Sequence, residues 1–228
     1  MSKYRFVSKN LGSNSLAALA KALSEKVGYK VFRAKTPQPN RTNLLYGDCK
    51  DKLFQYQWFK DNQVPGLSFT TNKETVQQWL SGGFTVFART LTKASEGKGI
   101  VVLSGESPLV AAPVYTQYRK KKREYRVHVY KDQVVQVLEK RKKKGFEGTN
   151  TKIRNTANGY VFCSQDVVEP AGIRELALKA SKVTASDFKG VDIGFNEKLN
   201  ELFVIEVNSA PGIEGSNVDK YVEAIVGN

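Results

Sequence analysis

Residues Gly190 to Gly215, reading GVDIGFNEKLNELFVIEVNSAPGIEG, restrict this chain more than any other stretch. Val191 and Ile193 alternate with Asp192 and Gly194, and Phe203, Ile205 and Val207 alternate with Val204, Glu206 and Asn208. That period of two marks two half-buried strands, and the polar connector Asn196 to Glu201 joins them as a hairpin. A hairpin turning about Leu199 sets Asp192 opposite Glu206 on one face, where two carboxylates repel unless something positive lies between them. A hard divalent cation, Mg²⁺ with Mn²⁺ as the alternative, suits two carboxylates and the Asn208 amide oxygen and keeps sites for water and phosphate oxygens. The plain alternative is a solvent-facing edge hairpin.

The rest of the chain bounds what can surround such a site. With 228 residues, 40% of them hydrophobic, a sizeable core can form in one large domain or in two or three lobes. No apolar run is long enough to span a bilayer, and the opening MSKYRFVSKN is neither a signal peptide nor a lipidation site. A soluble, intracellular, cytoplasmic protein with no membrane partner is therefore expected. Cys49 and Cys163 have no metal-ligand spacing and read as free buried thiols, and a single histidine, His128, excludes most zinc and histidine-triad chemistry.

The formal net charge is +14, but it is concentrated. Arg119 to Arg123 and Lys140 to Lys144 hold ten basic residues, and without those ten the balance falls to +4. Tyr125 to Tyr130 and Val134 to Glu139 read as strands joined by a turn at Lys131 to Gln133, so both runs return to the same end of one hairpin. Such a concentration needs solvent or an anion. An acidic peptide or protein tail, or substrate carboxylates, is the preferred partner; nucleic-acid phosphate is the second choice, and solvated loops are the plain alternative.

Ahead of this, YRFV reads as a short strand and SLAALAKALSEKVG as a helix with Ser13 or Asn14 at its N-cap and Gly28 at its end. YKVFRA and LLYG read as further strands, separated by the turn-rich KTPQPNRTN. VDKYVEAIVGN reads as a final amphipathic helix with Val222, Ile225 and Val226 inward.

EVNSAPGIEG resembles the Glu-x-Asn plus Pro-Gly signature of ATP-grasp ligases, in the branch of the ribosomal-protein glutamate ligase (RimK type). Four further stretches are similar to family elements and stand in the family's order: KDKLFQYQWFKDNQVPGLSF, FTVFARTLTKASEGKGIVVL, REYRVHV and IRNTANGY. The resemblance covers Lys50 to Gly215. It implies a mixed α+β chain, an ATP-grasp fold whose two α+β lobes clasp ATP, preceded by a shortened βαβ-like N-terminal domain. The corresponding division is 1–48, 49–113 for the small lobe and 114–228 for the C-terminal lobe with the metal site.

The resemblance also implies roles. Lys52 and Arg89 face ATP phosphates, Arg89 standing where most members carry lysine. Ser95, Gly97 and Gly99 belong to a glycine loop that is a turn between strands, not a Walker-type cradle. Val114, Tyr115 and Gln117 flank adenine, Arg126 handles the transferred phosphate or the substrate carboxylate, Arg154 stabilises the acyl-phosphate, and Asn155 adds a metal or phosphate contact. Asp192, Glu206 and Asn208 hold the metal. His128, sharing the Arg126 face, reads as a wall residue. The implied activity is ATP-dependent amide formation between a carboxylate and an amine through an acyl-phosphate, for example the addition of glutamate to a peptide or protein, in a homo-oligomer. Two other classes remain open: a nucleic-acid binder that places Tyr115, Tyr118, Tyr125 and Tyr130 among basic residues, and a kinase-like phosphotransferase.

Overall fold

The chain is seen here as a computed structural model, which describes residues 3–48, 51–94, 97–148 and 150–227. Its N-terminal unit follows from local signals. Strand β1 (Tyr4–Val7) leads to helix α1 (Asn14–Val27), where Ser13 accepts the Leu16 N–H as N-cap and Gly28 stops the helix at φ 72°, a left-handed value that glycine adopts freely. Strands β2 (Phe32–Ala34) and β3 (Thr42–Leu45) flank β1 in a parallel sheet of order β2-β1-β3.

Helix α2 (Lys52–Asp61) begins at Asp51, which accepts the Phe54 N–H. Strand β4 (Phe69–Thr70), helix α3 (Lys73–Ser81) and strands β5 (Val86–Arg89), β6 (Ile100–Leu103) and β7 (Val114–Gln117) follow, the strands forming an antiparallel sheet of order β4-β7-β5-β6. Residue 114 opens the third part of the sequence division, yet β7 pairs with β4 and β5 of the second sheet. Helix α2, in turn, sends Tyr56 and Phe59 into the core of the third sheet.

That third sheet is built from β8 (Arg123–Tyr130), β9 (Gln133–Lys142), β10 (Tyr160–Cys163), β11 (Phe188–Asn196) and β12 (Glu201–Asn208) in the order β10-β9-β8-β11-β12. Helix α4 (Ile173–Ser181) covers one face, packing Ile173, Ala177 and Ala180 on Val127, Val129, Val191 and Val204. Helix α5 (Ser216–Val226) shares a second core with α1, where Tyr221 and Ile225 meet Phe6, Leu16 and Phe188. The buried face of α5 centres on Tyr221 and Val222, while Val226, expected inside, is exposed. Tyr221 takes the inner place because its hydroxyl meets His128 Nδ1 at 3.0 Å. Cys163 is a free, half-buried thiol, and Cys49 lies outside the described residues. No described helix is long and apolar enough to cross a membrane.

Candidate active site

The β11–β12 hairpin closes with Asn196 opposite Glu201, and that register alone would set Asp192 against Ile205. A bulge between Asp192 and Ile193 shifts the pairing, so that Asp192 stands opposite Glu206 and Gly190 opposite Asn208. The extra residue is Ile205. It breaks the strict alternation, so Phe203 and Ile205 line the cleft beside Glu206 and Asn208, whereas Val204 and Val207 enter the core. The sequence pattern expects the reverse for Phe203, Val204 and Ile205; a bulge re-aims side chains in this way.

The cleft above this hairpin has a volume of about 410 Å³ and lies between the second and third sheets. Asp192 is held by Arg126, directly opposite on β8, through two bonds: Nε to Oδ1 at 2.7 Å and Nη2 to Oδ2 at 2.8 Å. Glu206 pairs with Lys52 Nζ at 2.9 Å, and Asn208 Nδ2 donates to its other oxygen at 3.3 Å. Lys52 also donates to the Ala94 carbonyl at 2.9 Å, linking the Glu206 carboxylate to the glycine loop. Burial opposes ionisation of both acids, but the surrounding cations win. Arg126 and Lys140 hold Asp192 below its ordinary pKa, and Lys52 and Arg89 do the same for Glu206.

The remaining expected residues divide. Arg89, at the end of β5, lines the cleft; it is 5% exposed and its Nε has no hydrogen-bond partner. Arg154 lines it as well, spending Nη2 on the carbonyls of Lys121 and Lys122 and lying over the Tyr160 ring. Asn155 is beside it and also accepts the Asn158 N–H. Gly97 lines the cleft so closely that a Cβ there would stand 2.9 Å from Ile153. Gly99 is instead a turn residue packed on Leu91, and its carbonyl accepts from Thr90. Ser95 lies outside the described residues. Of the adenine set only Gln117 reaches the cleft, followed by Tyr118 and Arg119. Val114 and Tyr115 are fully buried in core clusters, because the middle strand β7 packs both of its faces. His128 is sealed under α5; burial lowers its pKa to about 3, with Arg126 adding to the effect.

Several contributors were not singled out from sequence. Glu124, two residues before Arg126 on β8, pairs with Lys140, and Lys121 stands 3.5 Å away. Lys140 also reaches within 4.0 Å of Asp192, and the Phe162 ring lies 4.4 Å from the Arg126 guanidinium. Lys140, Lys121 and Arg119 come from the two basic runs. Among the described residues, five of those ten charges have carboxylate partners: Arg119 with Glu201, Lys121 and Lys140 with Glu124, Arg123 with Glu197, and Arg141 with Glu139. The runs therefore converge as expected, but acids interleave them.

Among the described residues no group of three or more His, Cys, Asp or Glu side chains gathers, so the metal candidate is two carboxylates and one amide. An all-oxygen donor set of this kind suits Mg²⁺ or Mn²⁺, and the unpaired, buried Arg89 Nε is a donor suited to a phosphate oxygen.

A family model, the RimK-like ATP-grasp domain, matches residues 97–225. The ribosomal protein bS6–L-glutamate ligases of Escherichia fergusonii and Shigella flexneri serotype 5b are 28% and 26% identical over 193 residues, covering 78% of this chain and 61% of each relative. The chain thus spans about three fifths of the length of these curated relatives. Among solved structures, the ATP-grasp ligase PsnB with a minimal precursor superposes with a TM-score of 0.71 at 12% identity over 100% of this chain and 99% of that one. D-alanine–D-alanine ligase from Bacillus anthracis gives 0.62 at 11% identity over 100% and 93%. These likenesses concern the fold. The family match covers more than half of the chain, and the protein belongs to the RimK-like ATP-grasp family.

Proposed function

We propose that this protein is an ATP-dependent carboxylate–amine ligase working through an acyl-phosphate. The observation that carries this reading is the facing of Asp192 and Glu206 at the floor of a cleft walled by Lys52, Arg89, Arg126 and Arg154. Asp192, Glu206 and Asn208 would hold Mg²⁺, with Mn²⁺ as the alternative; the ion offsets phosphate charge as two anions approach. Both carboxylates can exchange their present cations for the metal, which frees Arg126 and Lys52 for phosphate oxygens. The relatives agree in class: one is a glutamate ligase of a ribosomal protein, and PsnB has been solved with a precursor, Mg and ADP.

In this reading Lys52 and Arg89 neutralise the ATP phosphates, while Phe87, Phe203 and Ile205 cover the base near Gln117 to Arg119. A substrate carboxylate oxygen attacks the γ-phosphorus and ADP leaves. Arg126 and Arg154 stabilise the acyl-phosphate; the amine nitrogen then attacks the acyl carbon, phosphate departs and the nitrogen loses its proton. No protein nucleophile is needed, because positioning and charge neutralisation lower the barrier.

Among the described residues, nine lysines and arginines line the cleft against three carboxylates, an excess of six. ATP with one divalent ion offsets only part of that, so the carboxylate substrate is an acidic one, such as a peptide or protein tail. The test supplies ATP, Mg²⁺ and a glutamate-rich peptide, with hydroxylamine in place of the amine. Hydroxamate formation with matching ADP release is expected; ADP release with a phosphorylated product and no hydroxamate would instead mark a kinase.

A further inference from the structure

Arg89 is a buried cation in the cleft with an unpartnered Nε, and its long side chain has to be held in one plane to present that donor. Beneath it lies Tyr56, whose ring centre is 5.6 Å from the guanidinium carbon, within the range of a cation–π contact. Tyr56 is itself fixed: it is 2% exposed, packs on the Phe69 ring at 5.7 Å and belongs to the core that holds Val114, Val127 and Val204. It stands one helical turn after Lys52, so α2 carries both a phosphate-side cation and the support for a second one. Burial pushes the Tyr56 hydroxyl up to about 12 against the pull of Arg89, and the ring stays uncharged.

We propose that Tyr56 is a positioning residue for the nucleotide: its ring holds the Arg89 guanidinium in the cleft and fixes it relative to Lys52. This rests on the ATP-binding reading above. A lysine at position 89 would act as a point charge, whereas a planar arginine needs a surface to lie on.

Arginine side-chain ¹⁵N NMR tests the contact without nucleotide. A ring-shifted, slowly exchanging Arg89 Nε–H signal is expected in the native protein, kept by Tyr56→Phe and lost in Tyr56→Leu; Tyr56→Met, which fills the core without a π face, serves if the leucine variant does not fold. Titration with Mg²⁺ and a non-hydrolysable ATP analogue should move the signal, and loss of the ring should weaken the analogue about tenfold. In an Arg89→Ala background the same Tyr56 change should weaken it no further. An Arg89 signal unchanged by losing the ring overturns the proposal, as does an equal affinity loss in the Arg89→Ala background. A signal that depends on Tyr56 but ignores the analogue upholds the contact and overturns the ATP-binding reading instead.

Discussion

Gln55 and Val207 are joined twice, with Gln55 Nε2 donating to the Val207 carbonyl at 3.0 Å and Gln55 Oε1 accepting the Val207 N–H at 2.8 Å. One side-chain amide thus acts as a neighbouring strand on the outer edge of β12, between Glu206 and Asn208. The same edge is covered further along, where the Val204 N–H donates to the Pro65 carbonyl at 2.8 Å. Anchored in this way, α2 keeps Lys52 against Glu206. Gln55→Leu should leave two backbone groups unpaired and cost about 2 to 3 kcal/mol in urea unfolding; a loss under about 0.5 kcal/mol would show that the amide is dispensable.

The two carboxylates should differ in structural weight. Asp192 meets Arg126 bidentately and is the more deeply buried, so Asp192→Asn leaves a buried guanidinium half-paired and should cost about 3 kcal/mol. Glu206→Gln should cost only about 1 kcal/mol, because Lys52 keeps the Ala94 carbonyl and its pair is more exposed. Both folded-state pKa values are lowered, so this stabilisation is complete above about pH 4.5 and fades as the pH falls through the folded values. Chemical unfolding of the two variants at pH 7 checks the order.

Gly190 leaves room for the site rather than for a turn. A Cβ there would stand 2.9 Å from Pro211 and 3.3 Å from Arg126 Cδ. Gly190→Ala should therefore force Pro211 aside and shift the Arg126 stem by a few tenths of an ångström, cost about 1 to 3 kcal/mol and lower the turnover of the proposed ligase reaction. Calorimetry and ADP-release assays would show both effects; unchanged turnover would contradict the packing argument.

His128 is neutral in the fold, with a pKa of about 3 against 6.5 for the free side chain. The unfolded chain therefore binds a proton that the native chain does not throughout that window. Native stability should be fully present above about pH 6.5 and fall by up to about 1.4 kcal/mol per pH unit below it. Comparing urea unfolding of native protein and His128→Gln at pH 7 and pH 5 isolates the effect: the variant should lose less on acidification.

The elements with strong local signals were legible in the sequence: the capped helix from Asn14, the β8–β9 hairpin, and the pairing of Asp192 with Glu206. The pairing was reached by assuming a symmetric turn at Leu199, whereas the fold reaches it through the bulge at Ile205, which no alternation pattern encodes. Val114 and Tyr115 read as adenine-flanking residues through the family resemblance; burial on both faces of β7 depends on neighbours distant in sequence. Lys140 and Lys121 were visible as charge, but their partner Glu124 emerged only from cross-strand register. Tyr56 and Gln55 carry no motif, and their roles come from where α2 lies against β12 and β5.

The most direct test of the cleft as an ATP·Mg²⁺ site is thermal melting with and without Mg²⁺ plus a non-hydrolysable ATP analogue, on the native protein and on Glu206→Ala. A ligand that binds only the folded state must raise its stability. A rise of several degrees in the native protein, lost or greatly reduced in Glu206→Ala, is expected. No rise in either protein, or an equal rise in both, would contradict the assignment of Asp192, Glu206 and Asn208.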